Sequence, residues 1–395
     1  MPTKRQLFLD HVAQTSPMPL MLEVDHAKGI YIYDVHGKAY MDLNSGICVS
    51  AMGHCHPDVV KAIKDQVDKH LHTMVYGEHL QAPQVKLANL LTEHLPSPLN
   101  SVYFVMSGSE AVEGAMKLAK RYTGKYEIVC CRNAYHGSTQ GAESLRSDID
   151  FVQAFRPLIP GIRFIDFNDE TSLDAITNKT ACVITEPIQA ESGVQLPNEN
   201  FLKSLREKCN TTGALLVLDE IQTGFGRTGS LFAFEQYGIE PDILLTAKGL
   251  GGGMPIGAFI ASKEMMSVFT RKPVLGHITT FGGHPVSCAS AHAALNALLN
   301  SDLIDQVKAK GQLFQDLLQH EKIKEVRGKG LMLAVEMSRK KYMKYVVQGA
   351  IENGMLVDWF LFNNGAFRLA PPLIITEEQI REACKRFIQI LDMIN

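Results

Sequence analysis

Three short stretches of the chain bring together residue types suited to amine chemistry. Lys248 follows the β-rich run DILLTA and precedes GLGGGMPIG, so its amine stands beside glycines that leave room for a ligand. Partial removal from water would lower its pKa and leave a neutral amine able to form a Schiff base with a carbonyl. Asp219 closes the apolar run LLVLD. An ionised carboxylate at the buried end of a strand is costly unless a cation pairs with it, and a protonated pyridine nitrogen is one such partner. The third stretch is Met106-Ser107-Gly108-Ser109-Glu110, between VYFV and a helical pattern. Ser107 and Glu110 have the spacing of a capping box. Gly108 lets the backbone approach a ligand, and the free N–H groups of the helix start favour an anion such as phosphate. Taken singly, each stretch has an ordinary reading: a solvated loop lysine, a surface acid at a strand end, a capped helix. Together an amine, an acid and an anion site match the two ends of pyridoxal 5′-phosphate.

These residues need a scaffold that brings strand ends together. From about residue 100 to 260, short apolar runs alternate with helical patterns, as expected of βαβ units and a parallel sheet. The expected strands are VYFV, EIVCC, ACVIT, LLVLD, DILLT and GAFIA, each nearly continuously apolar, as strands covered on both faces should be. Such sheets bind ligands at the carboxyl ends of their strands. Nearer the N-terminus, YIYDVHGKAYMDL alternates about His36-Gly37 and predicts a hairpin. Pro57 opens a helix with Val60, Ile63, Val67 and Leu71 on one apolar face. After about residue 286, amphipathic helices mix with shorter strands such as LMLAVEM and AFRLAP. The expectation is a large α/β domain over 50–285 with a mostly parallel sheet. A smaller α+β domain is expected from the two chain ends, 1–49 plus 286–395.

A chain of 395 residues and 43.7 kDa is large enough for that division. Hydrophobic residues make up 46% and charged residues 21%, which excludes a fibrous or disordered chain. A formal charge of −3 offers no basic excess for a phosphate backbone, so nucleic acid is not expected as a partner. The eight cysteines form no C-x-x-C pair, and several fall in apolar runs, which suits a reducing compartment. No run is long enough to span a bilayer, and Asp10 and His11 interrupt any leader-like stretch. The expected location is the cytoplasm, without membrane contact.

The run LLVLDEIQTGFGRTG, followed by DILLTAKGLGGGMPIGA, resembles the signature of the class-III aminotransferases. This fold-type-I family includes the acetylornithine, ornithine and 4-aminobutyrate enzymes. The likeness continues through GKAYMDLNSGICVSAMGHCHP, MSGSEA, AYHGS, EPIQAESG, HITTFGGHPVSCA and FRLAPPLIIT. It implies that Lys248 carries pyridoxal phosphate as a Schiff base and then moves the proton. It also implies that Asp219 pairs with the ring nitrogen, that Gln222 reaches the ring hydroxyl, and that Tyr135 stacks on the ring with His136 beside it. Gly108 and Ser109 would hold the phosphate. Thr280 would reach the phosphate of a neighbouring subunit, which implies a homodimer with shared active sites. Arg368 would hold the α-carboxylate of glutamate or 2-oxoglutarate, Glu191 would gate it, and Glu186 would be a nearby pocket acid. One departure stands out: where the acetylornithine and 4-aminobutyrate enzymes read H-G-R-T, this chain has Ser138, so a carboxylate-binding guanidinium is missing. Ile47, by contrast, matches the aliphatic residue of the acetylornithine type.

Two further motifs carry other readings. Gly224-Phe-Gly226-Arg-Thr-Gly229 satisfies G-x-G-x-x-G, with Asp242 further on, which suggests a nicotinamide dehydrogenase. The strand, however, stops at Asp219, short of the first glycine. His54-Cys55-His56 has metal-ligand residue types, but neighbours on an extended segment point to opposite faces, and a structural turn is the expectation. The expected activity is a ping-pong transamination from an ω-amino donor, acetylornithine-like or ornithine-like, to 2-oxoglutarate. An aminomutase or decarboxylase of the same family is the alternative.

Overall fold

Alternation about His36-Gly37 does produce a hairpin. In a computed structural model that describes residues 2–394, β1 (Val24–Lys28), β2 (Tyr31–Asp34) and β3 (Ala39–Asp42) form an antiparallel meander. Gly37 turns the β2–β3 connection at φ +79°, a backbone that strains residues with a Cβ.

The apolar runs become a seven-stranded sheet. Its members are β4 (Ser101–Val105), β5 (Glu127–Cys131), β6 (Ile162–Ile165), β7 (Thr180–Thr185), β8 (Leu215–Asp219), β9 (Ile243–Thr246) and β10 (Gly257–Ala261). The order across the sheet is β4-β10-β9-β8-β7-β5-β6. All six expected strands are present. The seventh, β6, is an edge strand whose run IRFI carries an exposed arginine, so continuous apolarity could not mark it. Pairing is parallel from β9 through β6, whereas β10 runs antiparallel to both β4 and β9. Both faces are covered. Leu216, Leu218 and Val183 belong to one core cluster and Val217, Ile184 and Cys182 to another, as the two-residue period of a strand requires.

The C-terminal third adds β11 (Ile323–Lys329), β12 (Met332–Met337), β13 (Met355–Leu356), β14 (Asp358–Trp359) and β15 (Ala366–Leu369). Four of these form a sheet of order β11-β12-β15-β14, while β13 pairs with β3 and completes the N-terminal meander. The architecture is thus α/β, with a large, mostly parallel sheet and two smaller ones. One expectation fails. The helix opened by Pro57 ends at Val67, and its buried positions are Val59 and Gln66. Val67 and Leu71 are exposed, because the helix turns a different face toward the long helix Pro285–Leu299 packed on it.

Candidate active site

Register places the reactive groups along one edge of the large sheet. β8 and β9 are parallel neighbours with Asp219 opposite Leu245, so Lys248, just past the end of β9, emerges beside the Asp219 carboxylate. On the far side of β10, Gly257 pairs with Val105 at the end of β4. A Cβ on Gly257 would come within 2.3 Å of the Ser107 carbonyl oxygen, so glycine is what lets these strands close up at the start of the helix Gly108–Thr123. Ser107 caps that helix by accepting from the Glu110 N–H at 3.2 Å. The expected capping box is only half formed: Glu110 reaches one residue further back and accepts from the Met106 N–H at 2.8 Å.

A cavity of about 420 Å³ opens between these ends, lined by Gly108, Ser109, Tyr135, His136, Glu186, Asp219, Gln222 and Lys248 among others. Asp219 accepts from the Ile221 N–H at 3.0 Å and lies 2.7 Å from Nδ1 of His136, with both side chains buried. Burial alone would lower the His136 pKa. The hydrogen bond and charge of Asp219 outweigh it and raise the imidazole above its usual value. Glu186 is pushed up to about 8 by burial, against the pull of His136, so it holds its proton at neutral pH. Its Oε1 accepts from the Ala190 N–H at 3.1 Å. Its Oε2, the His136 Nε2 and the Gln222 Oε1 are buried without partners.

Lys248 begins a short 3₁₀ turn, Lys248–Gly251, at φ +45°. A left-handed lysine costs about 1–3 kcal/mol, strain that such structures keep at functional positions. Burial lowers its amine pKa, and the opposing pull of Cys48, Glu191 and Asp219 does not restore it. Against this turn packs a second left-handed one: Ser45, Gly46, Ile47 and Cys48 all have positive φ, between 51° and 64°.

The other charged pole stands on the smaller sheet. Arg368, in β15, donates from Nη2 to Glu191 Oε1 at 2.6 Å. Glu191 also accepts from Gln222 Nε2 at 3.0 Å and from the Leu361 N–H at 3.2 Å. Burial would raise the Glu191 carboxyl, but the Arg368 charge prevails and holds it below its ordinary range. Arg368 stacks over Phe360 at 4.8 Å, and its Nε and Nη1 are buried without partners.

The structure therefore joins eight of the residues singled out in the sequence around one cavity, with Glu191 and then Arg368 behind Gln222. Ser138 is exposed at its rim; its Oγ lies 3.2 Å from the Tyr135 hydroxyl and its N–H donates to Ser109 Oγ at 3.2 Å. Ile47 and Thr280 do not line this cavity. Thr280 is exposed, with its carbonyl 2.9 Å from His72 Nε2. Two arginines escaped the sequence reading. Arg227, 1% exposed, donates to the carbonyls of Leu331 and Pro371 and to Ser45 Oγ, tying the large sheet's signature loop to the Arg368 segment. Arg146 is buried behind Tyr135. Neither the period nor the spacing of its surroundings, ESLRSD, gave a signal.

The other motifs resolve locally. His54 Nε2 is 2.8 Å from Asp42 Oδ2 in a turn where Cys55 has φ +53°. Gly224, Gly226 and Gly229 lie in a string of turns, without the helix start that a dinucleotide pyrophosphate needs. Among the described residues no helix is long and apolar enough to cross a membrane.

The donor set suits a phosphorylated pyridine aldehyde. A helix start faces the cavity for the phosphate, a buried carboxylate for the ring nitrogen, an unpaired amide oxygen for a hydroxyl, and an amine of lowered pKa for the aldehyde. The family model for class-III aminotransferases matches residues 12–391. An acetylornithine aminotransferase of Methanopyrus kandleri is 41% identical over 361 residues, 90% of each chain. That of Methanosarcina mazei is 42% identical over 377 residues, 94% of this chain and 91% of its relative. Among solved structures, the ornithine aminotransferase of Toxoplasma gondii superposes with a TM-score of 0.90 at 33% identity, covering 99% of this chain and 95% of that one. An acetylornithine aminotransferase from Elizabethkingia anophelis gives 0.86 at 32%, covering 99% and 98%. The chain belongs to the class-III aminotransferases and is a pyridoxal-phosphate enzyme.

Proposed function

We propose that this enzyme moves an amino group from an ω-amino donor of the acetylornithine or ornithine kind to 2-oxoglutarate, in two half-reactions of a ping-pong cycle. When bound, pyridoxal phosphate supplies an aldehyde carbon that condenses with amines and a pyridine ring that draws electron density from the substrate. The protein's part follows from its own groups. The helix start at Gly108 and Ser109 would bind the phosphate, and Tyr135 would cover the ring and exclude water. Asp219, oriented by His136, would keep a proton on the ring nitrogen. Gln222 would accept from the ring hydroxyl through its free amide oxygen. The Lys248 amine, whose pKa burial lowers, takes the proton from the amine-bearing carbon and delivers it back.

The observation that carries the substrate reading is the closed Glu191–Arg368 pair. An ω-amino donor brings a carbon with no carboxylate to the Lys248 end, and Glu191 then neutralises Arg368. When 2-oxoglutarate enters, its α-carboxylate takes the guanidinium fork and Glu191 moves aside. Glu186 holds its proton beside His136 and leaves the Asp219 charge to the ring. A panel of amino donors with 2-oxoglutarate tests the proposal. Glutamate should appear in step with consumption of an ω-amino donor, and a product formed without consuming a keto acid would point to a mutase or decarboxylase.

A homodimer with shared sites is part of this reading. Thr280 lies outside its own cavity, in a stretch with exposed apolar side chains, Val274 (73% exposed), Leu275, Ile278 and Phe281, the kind of surface that a second copy covers. Light scattering should give twice 43.7 kDa. The division into 50–285 and 1–49 plus 286–395 is supported by the β3–β13 pairing. A cytoplasmic, reducing location is supported by eight unpaired cysteines, all but Cys55 buried.

A further inference from the structure

Arg146 is 6% exposed and sits just past the short helix Gln140–Glu143. Its Nη1 donates to Glu143 Oε1 and Oε2 at 3.3 and 3.2 Å. Its Nε and Nη2 are buried without partners. Three rings enclose the guanidinium, with centroids 4.1 Å (Phe151), 5.5 Å (Tyr135) and 5.6 Å (Phe362) away. Aromatic faces offset part of the charge but accept none of the in-plane N–H bonds. Buried, unsatisfied charged donors are costly.

The two orphaned nitrogens are not an arbitrary pair. Nε–H and Nη2–H lie along one side of the guanidinium and point the same way, forming the edge that grips a carboxylate with two parallel hydrogen bonds. The surroundings belong to the substrate end of the site. Tyr135 lines the cavity, and its hydroxyl meets Ser138. Phe362 follows Leu361, whose N–H holds Glu191, and the Phe362 N–H itself donates to the Glu191 carbonyl at 3.0 Å. The box therefore stands between the Glu191–Arg368 pair and position 138, where the resembling enzymes place an arginine and this chain has serine. Phe151 is 37% exposed, so one wall of the box faces solvent rather than the core.

We propose that Arg146 anchors the carboxylate at the far end of the amino donor, replacing from another point of the chain the charge missing at Ser138. The proposal rests on the ω-amino-donor reading above. It makes Arg146 a specificity determinant that separates amino acids from simple diamines.

Binding of unreactive ligands to the holoenzyme tests this without any turnover. The probes are straight-chain carboxylates of four to six carbons and N-acetyl-L-norvaline, each paired with its neutral amide. Calorimetry would compare wild type, Arg146→Met and Arg146→Lys. Wild type should bind at least one acid roughly 10- to 100-fold more tightly than its amide, and Arg146→Met should lose that preference while binding the amide unchanged. Arg146→Lys, which keeps the charge but not the fork, should fall between them. If wild type binds no acid in preference to its amide, or if Arg146→Met keeps the preference, the anchor is overturned. The same holds if acid and amide weaken together, the result expected of a mere prop for Tyr135. Should Arg146→Met not fold, Arg146→Lys decides: unchanged acid binding would reject the proposal. A parallel assay compares ornithine with putrescine, which differ by one carboxylate. If wild type transaminates no ω-amine yet shows the Arg146-dependent preference, the donor reading falls and the carboxylate site stands.

Discussion

The two ends of the cavity satisfy their charges in opposite ways. At the cofactor end, both oxygens of Asp219 have protein partners, Ile221 N–H and His136, and the carboxylate is locked in position. At the substrate end, Arg368 and Arg146 each hold one carboxylate with one nitrogen and keep two more nitrogens buried and unpaired. A group that serves every turnover identically is best fixed in advance, since preorganised charge costs nothing at the moment of reaction. A group that must hold different molecules in the two half-reactions needs capacity left open. On the proposed reading, a substrate carboxylate displaces Glu191 from Arg368 but takes the open edge of Arg146 directly, beside Glu143.

Variants at the two ends should therefore fail differently. The largest effect is expected for Lys248→Ala, which removes both the covalent attachment and the proton carrier and should lower kcat/KM on the order of 10⁴-fold or more. Borohydride treatment followed by peptide mapping should place the reduced cofactor on Lys248 in wild type and nowhere in the variant. Next comes Asp219→Asn. It keeps the shape but not the charge, and kcat should fall by about 10²–10³-fold for every donor and acceptor alike. A loss confined to one substrate would erase the contrast drawn between the ends. Arg368→Met should be smaller and selective: KM for 2-oxoglutarate should rise about 10- to 100-fold, while the half-reaction with an ω-amino donor, followed by stopped-flow absorbance, changes little. Smaller still, Ser138→Arg introduced into Arg146→Met should recover part of the affinity for donors with a distal carboxylate, measured as KM.

The smallest effect concerns pH and the apoprotein. Glu186 moves from an ordinary value of 4.5 up to about 8 on folding. Below about 4.5 both states hold the proton and there is no penalty; as pH rises toward 8 the unfolded chain releases it first, so stability falls across that window. The raised His136 adds to the same trend, since its contribution is full below 6.5 and fades as pH passes its folded value. Glu186→Gln should flatten the decline in melting temperature between about pH 5 and 8 and leave the His136 part. An unchanged slope would mean that Glu186 is ionised in the folded state.

How much could be read in advance followed the same division. Lys248 and Asp219 were legible because each ends a nearly continuous apolar run, and parallel pairing carries adjacent strand ends to one edge whatever the loops do. The edge strand Ile162–Ile165 was not legible, since its exposed arginine breaks the apolar run. The face assigned to the Pro57 helix was also misjudged, because several apolar side chains there stay in solvent. Arg146 had no signature at all. What marks it in the structure is three rings brought around it by separate segments and two hydrogen-bond donors left without acceptors.

By itself, the sequence determined six of the seven strands of the large sheet, the glycines that let them close up, the helix start at Gly108, and the order of the motifs, all of which depend on local pattern and backbone geometry. Tertiary structure alone decided which charges meet. Glu191 and Arg368 lie 177 positions apart and His136 and Asp219 lie 83 apart. Side-chain hydrogen bonds reach only a few ångströms, so such pairs exist only after the sheets have packed. The same packing decides which donors remain free, and on our proposal those free donors select the substrate.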